Sequence, residues 1–289
     1  MKHSWTGAQY GIWRALLAVA VAIPLERTIA DWPFRILAAL VCLALALGFR
    51  DRVAALGLAV VTWFGDSTYW ATPILLLLHA TTHGSPYGTI DARGRTDPAG
   101  GWILPPWNFA ARRLLLVAVA GAAAARGRFE MPFGEALALA LAAADPGWIP
   151  PVRASTPVRV FYDGACGLCH RFVRFFLAED RTGGSFRYAP LQGATFQGAY
   201  PADVRKSYPD SIVVQDEEGR VLVRSRAVLH ALARLGGLWR VLGAAAAIVP
   251  APLRDVVYDF VAVVRHRLFA RPSDVCPLVP AHLARRFDP

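Results

Sequence analysis

The sequence has 289 residues, which is long enough for two domains. It carries 31 lysine and arginine residues against 21 aspartate and glutamate residues, so its formal net charge at pH 7 is +10. The basic residues are scattered and often flank apolar segments, which favours anchoring at a membrane edge over binding to nucleic acid. Four cysteines are too few, and too unevenly placed, for a disulfide-stapled scaffold.

The N-terminal half is rich in alanine, leucine and valine and contains eight of the nine tryptophans. Six apolar runs follow one another, at residues 10–25, 34–49, 53–64, 69–80, 109–125 and 131–147. Two of them are shorter than the roughly 20 residues that a perpendicular membrane span needs, so we expect them to use their flanks or to form one bent hairpin. The tryptophans stand near the ends of the runs, as aromatic residues do at a bilayer interface. The pattern predicts an all-α polytopic transmembrane bundle of four to six spans at residues 1–150. The alternative is a soluble helical domain with a very apolar core.

Six spans would divide the basic residues unequally between the two sides of the membrane. One side would carry Lys2, Arg50, Arg52, Arg93, Arg95, Arg112 and Arg113, and the other would carry Arg27, Arg35, Arg126 and Arg128. The more basic side is expected to be cytoplasmic. The chain is therefore predicted to be a multi-pass cell-membrane protein with its second domain on the cytoplasmic side, whereas an odd number of spans would turn that domain outward.

A proline-rich linker at residues 151–157 separates the helical region from a second domain at residues 158–289. Strands are predicted at 158–162, 186–190, 211–215 and 220–224, and helices after the cysteine pair, at 201–206 and from Ser225, as the cap, to Leu235. This order, with the cysteines at the end of the first strand, is typical of a thioredoxin-like α/β domain. Extra apolar helices at about 238–248 and 251–269 exceed what that fold needs. We expect them to shield the sheet or to lie against the membrane.

Two cysteines, Cys166 and Cys169, follow the strand at 158–162 and stand at the start of a helix in a C-x-x-C spacing. Unpaired N–H groups and the positive end of the helix dipole favour a thiolate over a thiol at this position. Such cysteines have a lowered pKa and attack disulfides readily. Because the first cysteine of such a motif is usually the exposed one, Cys166 is predicted to attack and Cys169 to resolve the mixed disulfide.

Asp163 lies one short turn before the cysteines. It is predicted to assist proton transfer to or from Cys169, a role that suits a carboxylate whose pKa is raised by burial. The competing interpretation is a turn or cap residue without a chemical role.

Other interpretations of the cysteine pair remain open. A zinc site would need further ligands, but this half contains no second C-x-x-C or H-x-x-x-H pair. It offers only single residues: Cys276, His230, His266 and His282. C-x-x-C followed by His170 also matches a c-type haem attachment site, and a purely structural pair is a further alternative. We predict no metal and no cofactor beyond a redox-active Cys166–Cys169 disulfide.

His79 and His83 stand four residues apart at the end of the fourth apolar run, so they are expected to share a helix face. Two such histidines can ligate a metal or contact a quinone. The simpler interpretation is a helix end whose polar residues reach water at the membrane interface.

Several motifs give the second domain a family resemblance. It resembles the DCC family of predicted thiol–disulfide oxidoreductases. The matching residues are Tyr162-Asp163-Gly164 with Cys166 and Cys169, Leu191-Gln192, Ser225 with Ala227, Arg265-His266-Arg267-Leu268-Phe269 and Cys276-Pro277. Thioredoxins place a cis-proline directly before the third strand, whereas here Asp210 separates Pro209 from Ser211.

The first 150 residues are similar to polytopic domains of the vitamin-K-carboxylase-like (HTTM) type and distantly to DoxX-like domains. The matching residues are Gln9-Tyr10-Gly11 with Arg14, Leu78-His79, Pro86-Tyr87-Gly88 and Gly100-Gly101-Trp102. No catalytic residue is carried over from this resemblance.

Together these patterns predict a membrane-anchored thiol–disulfide oxidoreductase. Its partners are expected to be membrane lipid and a protein or small-molecule thiol or disulfide substrate, with no nucleic acid. The alternative is a membrane transport or assembly protein whose thiol domain binds a metal or senses redox state.

Overall fold

The computed structural model describes residues 5–65, 69–84, 88–92, 102–126, 131–152, 156–209, 211–269 and 281–289. The chain forms two compact units. The first unit consists of residues 1–96 and 102–145, and the second of residues 97–101 and 146–289.

The first unit is helical. Its helices are α1 (Gly7–Thr28), α2 (Trp32–Leu47), α3 (Asp51–Trp63), α4 (Ala71–Ala80), α5 (Pro106–Arg126) and α6 (Phe133–Ala143). Within α1 and α5, the segments Gly7–Glu26 and Pro106–Ala125 are long and apolar enough to cross a membrane, whereas α2, α4 and α6 are apolar but shorter. The helical character predicted for this region is therefore confirmed, and the number of spans stays a prediction.

Buried polar residues fix the helix ends of this unit. Glu135 of α6 accepts hydrogen bonds from the backbone N–H groups of Ala71 and Thr72 and from the Thr72 hydroxyl, so it satisfies donors at the start of α4. His79 is buried near the end of α4, where its Nδ1 lies 3.0 Å from the Tyr10 hydroxyl. Because α4 ends at Ala80, exposed His83 lies beyond the helix. The expectation that the two histidines share a helix face is therefore wrong.

The second unit is built on a mixed four-stranded sheet with helices, an arrangement that fits a thioredoxin-like domain. The strands, in the order β2-β1-β3-β4 across the sheet, are β1 (Val158–Tyr162), β2 (Phe186–Pro190), β3 (Val213–Gln215) and β4 (Val221–Val223). β1 pairs in parallel with β2 and antiparallel with β3, and β3 pairs antiparallel with β4. The helices are α7 (Gly167–Glu179), α8 (Ala194–Ala199), α9 (Ala202–Ser207), α10 (Arg224–Leu235), α11 (Gly237–Ala247), α12 (Ala251–Leu268) and α13 (Ala281–Ala284).

Alternation along β1 sends side chains to two apolar layers. Val158, Val160 and Tyr162 join the layer that contains Val173 of α7, whereas Phe161 packs against Phe196 of α8 with ring centroids 4.8 Å apart. Both faces of the central strand are therefore covered, which explains why its residues are almost uniformly apolar.

Helix α10 begins at Arg224 with Val223 as its cap, two residues earlier than predicted, and Ser225 is not its cap. The backbone N–H and hydroxyl of Ser225 donate instead to the carboxylate of Asp255 in α12. A side chain from a distant helix thus satisfies a free donor at this helix start, which a local sequence pattern does not reveal.

The C-terminal residues extend the outer edge of the sheet. Phe287 forms a parallel bridge with Tyr188 of β2, where the Tyr188 N–H donates to the Arg286 carbonyl and the Asp288 N–H donates to the Tyr188 carbonyl. The buried Arg286 guanidinium also lies 2.6 Å from the Asp180 carboxylate. The tail therefore covers the open edge of β2 and neutralises a buried acid.

Replacing Arg286 with alanine is expected to destabilise the second unit, because it leaves the Asp180 carboxylate buried without its cation. The free energy of unfolding should fall by about 3 kcal/mol, measured by urea unfolding of the purified full-length chain. Arg285→Ala removes the same charge at an exposed neighbouring position and should change it by less than about 0.5 kcal/mol. Equal effects of the two substitutions would contradict the assigned role of the ion pair.

Candidate functional site

The two cysteines of the C-x-x-C motif lie at the N-terminus of α7, directly after the turn that ends β1. Cys166 is the N-terminal cap of the helix, and its sulfur accepts a hydrogen bond from the backbone N–H of Cys169 at 3.4 Å. The sulfur thus occupies the place of the side-chain oxygen that usually caps a helix. Both cysteines are free thiols in this structure.

Both members of the pair are buried, with Cys166 2% and Cys169 3% exposed. The expectation that the first cysteine is exposed is therefore wrong here. As a cap, the Cys166 side chain turns back over the first turn of α7, and both cysteines join the apolar layer of Tyr162 and Val173. A bulky disulfide can reach the sulfur only if neighbouring groups move.

The surroundings shift the pKa values of the two thiols in opposite directions. A hydrogen bond with the Cys169 thiol lowers the pKa of Cys166 to about 6, helped by backbone N–H groups and by the charge of Arg265, although burial acts in the opposite direction. The same hydrogen bond, together with burial, raises the pKa of Cys169. The geometry thus favours a thiolate on Cys166 and a protonated thiol on Cys169. The roles of nucleophile and resolving thiol stay predictions.

Asp163 organises the turn between β1 and α7. Its Oδ1 accepts hydrogen bonds from the Ala165 N–H and from the Gln192 side-chain amide, each at 2.9 Å, and its carbonyl accepts one from the Cys166 N–H. Its Oδ2 lies 3.9 Å from Arg265 Nη2, and its side chain is 16% exposed. These contacts give Asp163 a structural place in the turn. Its part in proton transfer stays a prediction.

His170 is buried beside the motif and supports the same turn. Its Nε2 lies 3.0 Å from the Gly164 carbonyl oxygen, and its ring stands edge-on to Tyr162. The contact with Gly164 engages the Nε2 atom of His170 in the turn that precedes α7. Within the described ranges, no three or more His, Cys, Asp or Glu side chains gather into a group that could hold a metal ion. Cys276 lies outside the described residues.

Two residues of α12 complete the site, although the sequence analysis gave them no role. Arg265 is 3% exposed, and its charge acts on both thiols. The Tyr258 hydroxyl accepts a hydrogen bond from the Ile212 N–H at 3.0 Å, which ties α12 to the segment before β3. A usable signal was present in the sequence, because Asp255, Tyr258 and Arg265 recur at helical spacing within a largely apolar helix.

The segment before β3 differs from the thioredoxin pattern. β3 begins at Val213, so Pro209 does not directly precede the strand. In the part of the chain that the structure describes, there is no cis peptide bond.

Comparisons with known proteins agree with the chemistry of this site. A family model described as DCC1-like thiol-disulfide oxidoreductase matches residues 160–271. The chain is 33% identical over 139 residues to uncharacterized protein YuxK of Bacillus subtilis (strain 168), a match that covers 46% of this chain and 96% of YuxK. It is 32% identical over 122 residues to DCC family protein At1g52590, chloroplastic, of Arabidopsis thaliana, covering 42% of this chain and 69% of that protein. No solved structure matches the chain.

The family model covers both cysteines, the turn residue Asp163 and the buried Arg265, and it does not extend into the helical first unit. YuxK is matched over almost its whole length at this level of identity. The chain therefore belongs to the DCC1-like thiol-disulfide oxidoreductase family.

Proposed function

We propose that this chain is a membrane-anchored thiol–disulfide oxidoreductase whose redox pair is Cys166 and Cys169. The observation that carries the proposal is the capping position of Cys166, where a helix N-terminus, the Cys169 thiol and the buried Arg265 cation all favour a thiolate. A lowered thiol pKa with an adjacent protonated thiol is the arrangement that disulfide exchange requires.

The reaction proceeds in two exchange steps. The Cys166 thiolate attacks one sulfur of a substrate disulfide, forms a mixed disulfide and releases one substrate thiolate, which takes up a proton. Cys169 then loses its proton and attacks the Cys166 sulfur, which forms the intramolecular disulfide and releases the second substrate thiolate, protonated in its turn. The substrate gains two electrons from the cysteine pair and two protons, one that Cys169 loses and one that solvent supplies, because Cys166 reacts as a thiolate.

Asp163 is proposed to take the proton that Cys169 must lose. Its backbone lies in the same turn as the cysteine pair, and its carboxylate is partly open to solvent, so a proton can pass onward to water. The raised pKa of Cys169 makes such a proton acceptor useful, because few Cys169 thiolates form without one. The substrate is proposed to be a protein or small-molecule disulfide or, in the reverse direction, a dithiol.

The membrane location is proposed from the helical first unit. Two of its helices contain segments long and apolar enough to cross a bilayer, and three further helices are apolar but shorter. Large apolar side chains such as Phe34, Leu40 and Val117 are exposed in this unit, which suits contact with lipid rather than with water. The chain is proposed to be a multi-pass membrane protein with its thiol unit in the cytoplasm, as the distribution of basic residues indicates.

Replacing Cys166 with serine should abolish disulfide exchange, because serine supplies no thiolate. Replacing Cys169 with serine should instead trap a mixed disulfide between Cys166 and a model disulfide substrate, visible by mass spectrometry. Cys42→Ser is the matched control, because Cys42 is a buried free thiol in the helical unit, and it should retain exchange. Exchange that survives in the Cys166 variant would refute the assignment of the nucleophile.

The Cys166 thiolate should persist to lower pH than an ordinary thiol. Because the pKa of Cys166 is lowered, its ultraviolet thiolate absorbance should be present at neutral pH and lost only as the pH falls through about 6, below the free-cysteine value of about 8.5. Arg265→Gln should move this midpoint upward, since it removes a nearby positive charge. Arg267→Gln, an exposed position on the same helix, should leave the midpoint unchanged. The absence of a titration near pH 6, or equal shifts in both arginine variants, would contradict the proposed electrostatics.

Membrane topology can be tested with an exposed reporter cysteine, because the native pair is buried. Gly184→Cys places a thiol in an exposed loop of the second unit, with no heavy atom within 4 Å of its added Cβ. In a chain whose own cysteines are serine, a membrane-impermeant maleimide should label this position only after the cells are permeabilised. Labelling in intact cells would reverse the proposed orientation, and recovery of the chain in the soluble fraction would refute membrane anchoring.

A further inference from the structure

Among the described residues, the outer surface of α11 and α12 is apolar and exposed. Nine of its large side chains are each between 43% and 84% exposed. They are Val241, Leu242, Ile248, Val249, Leu253, Val256, Val257, Phe260 and Val263. We call these nine residues the hairpin surface. Exposed apolar residues grouped on successive turns of a helix indicate an interaction site, because isolated exposed apolar residues are common but clusters are not.

The inner face of α12 packs within the second unit, and its outer face is exposed. Asp255, Tyr258 and Arg265 face inward, where they hold Ser225, the segment before β3 and the thiol site. Positions of the hairpin surface such as Val256, Phe260 and Val263 recur at helical spacing on the outer face. Packing among the described residues of the second unit therefore accounts for the inner face, and the side chains of the outer face are exposed.

The charges around the hairpin surface select an anionic partner. No charged residue occurs from position 241 to position 253, and the exposed Arg240 stands directly before this stretch. The two acids of α12 are already engaged, since Asp255 accepts from Ser225 and Asp259 pairs with Arg224 at 3.0 Å. Exposed Arg267 stands one turn beyond Val263. The surface is thus apolar with basic residues at its margins.

We propose that the hairpin surface lies in the interface of a bilayer that contains anionic phospholipid. Ile248, at the turn between the helices, and Phe260 enter the boundary between headgroups and acyl chains, and the exposed Arg240 and Arg267 contact lipid phosphates. Helices of this composition bind membranes through buried apolar area together with attraction between basic side chains and anionic lipids. This inference rests on the membrane location proposed above and adds a second membrane contact, made by the thiol unit itself.

The contact brings the redox chemistry to the lipid surface. The helix that presents Phe260 to the bilayer also presents Arg265 and Tyr258 to the thiol site. The substrate class favoured by this arrangement is a disulfide or dithiol held at the membrane interface, such as a juxtamembrane segment of another membrane protein.

Lipid contact can be measured position by position in the full-length chain. Single cysteines are introduced at Ile248, Phe260 or Gly184 in a chain whose own cysteines are serine, and each carries an environment-sensitive fluorophore. The labelled chains are reconstituted into vesicles of equal parts phosphatidylglycerol and phosphatidylcholine. Spin-labelled lipid should quench the fluorophore at Ile248 and Phe260 several-fold more than at the control position Gly184, with a blue-shifted emission.

The contribution of the basic residues at the margin is tested separately in the same experiment. Vesicles of phosphatidylcholine alone, or the double substitution Arg240→Gln and Arg267→Gln, should each reduce quenching at Ile248. Quenching that is equal in both lipid mixtures would overturn the assignment of an anionic lipid partner.

Two further outcomes separate this inference from the proposed function. Suppose that the chain enters the vesicles but the fluorophore at Ile248 shows water-like emission, or blue-shifted emission without lipid quenching. Either result overturns the contact between the hairpin surface and lipid, and leaves the redox and anchoring proposals intact. Blue-shifted, unquenched emission would indicate a second copy or another protein on this surface. Failure of the chain to enter the vesicles overturns both the membrane anchoring and the contact between the hairpin surface and lipid. Disulfide exchange by Cys166 is measured independently of this outcome.

Discussion

The hydrogen bonds that converge on the Cys166 sulfur are the interaction on which the site depends. The sulfur caps α7 through the Cys169 N–H and also receives the Cys169 thiol, so a negative charge is stabilised in a place almost closed to water. An isolated charge at such a depth would be costly, and here helix, thiol and cation offset the cost together. The rest of the unit sets this geometry. The turn follows β1, Asp163 accepts hydrogen bonds within it, and Arg265 of α12 supplies the positive charge.

Helix α12 links parts of the second unit that are far apart in sequence. It satisfies the start of α10 through Asp255, fixes the segment before β3 through Tyr258 and brings Arg265 to the thiols. An apolar appendage to a thioredoxin-like sheet thus becomes part of the site. This also explains why the family model reaches residue 271 and does not stop at the last strand.

Local patterns in the sequence encode only some parts of the molecule. The strand before the cysteines, the helix after them and the apolar helices follow from periodicity and turn residues. Burial of Cys166 was missed, because it depends on the direction in which a capping side chain turns. Ser225 was misassigned and Arg265 was given no role, because their partners come from distant segments. The bridge joins Phe287 to Tyr188, which is about a hundred residues away, so no local sequence pattern predicts it.

The capping role of Cys166 bears on the direction in which electrons flow. The thiolate of the reduced pair accepts the Cys169 N–H and is stabilised by the charge of Arg265, but once its sulfur is bound to Cys169 the negative charge is gone and both interactions weaken. Interactions made only by the reduced form raise the reduction potential of the pair. In the proposed exchange this favours the reverse direction, in which an oxidised Cys166–Cys169 pair withdraws electrons from a dithiol partner and leaves that partner cross-linked.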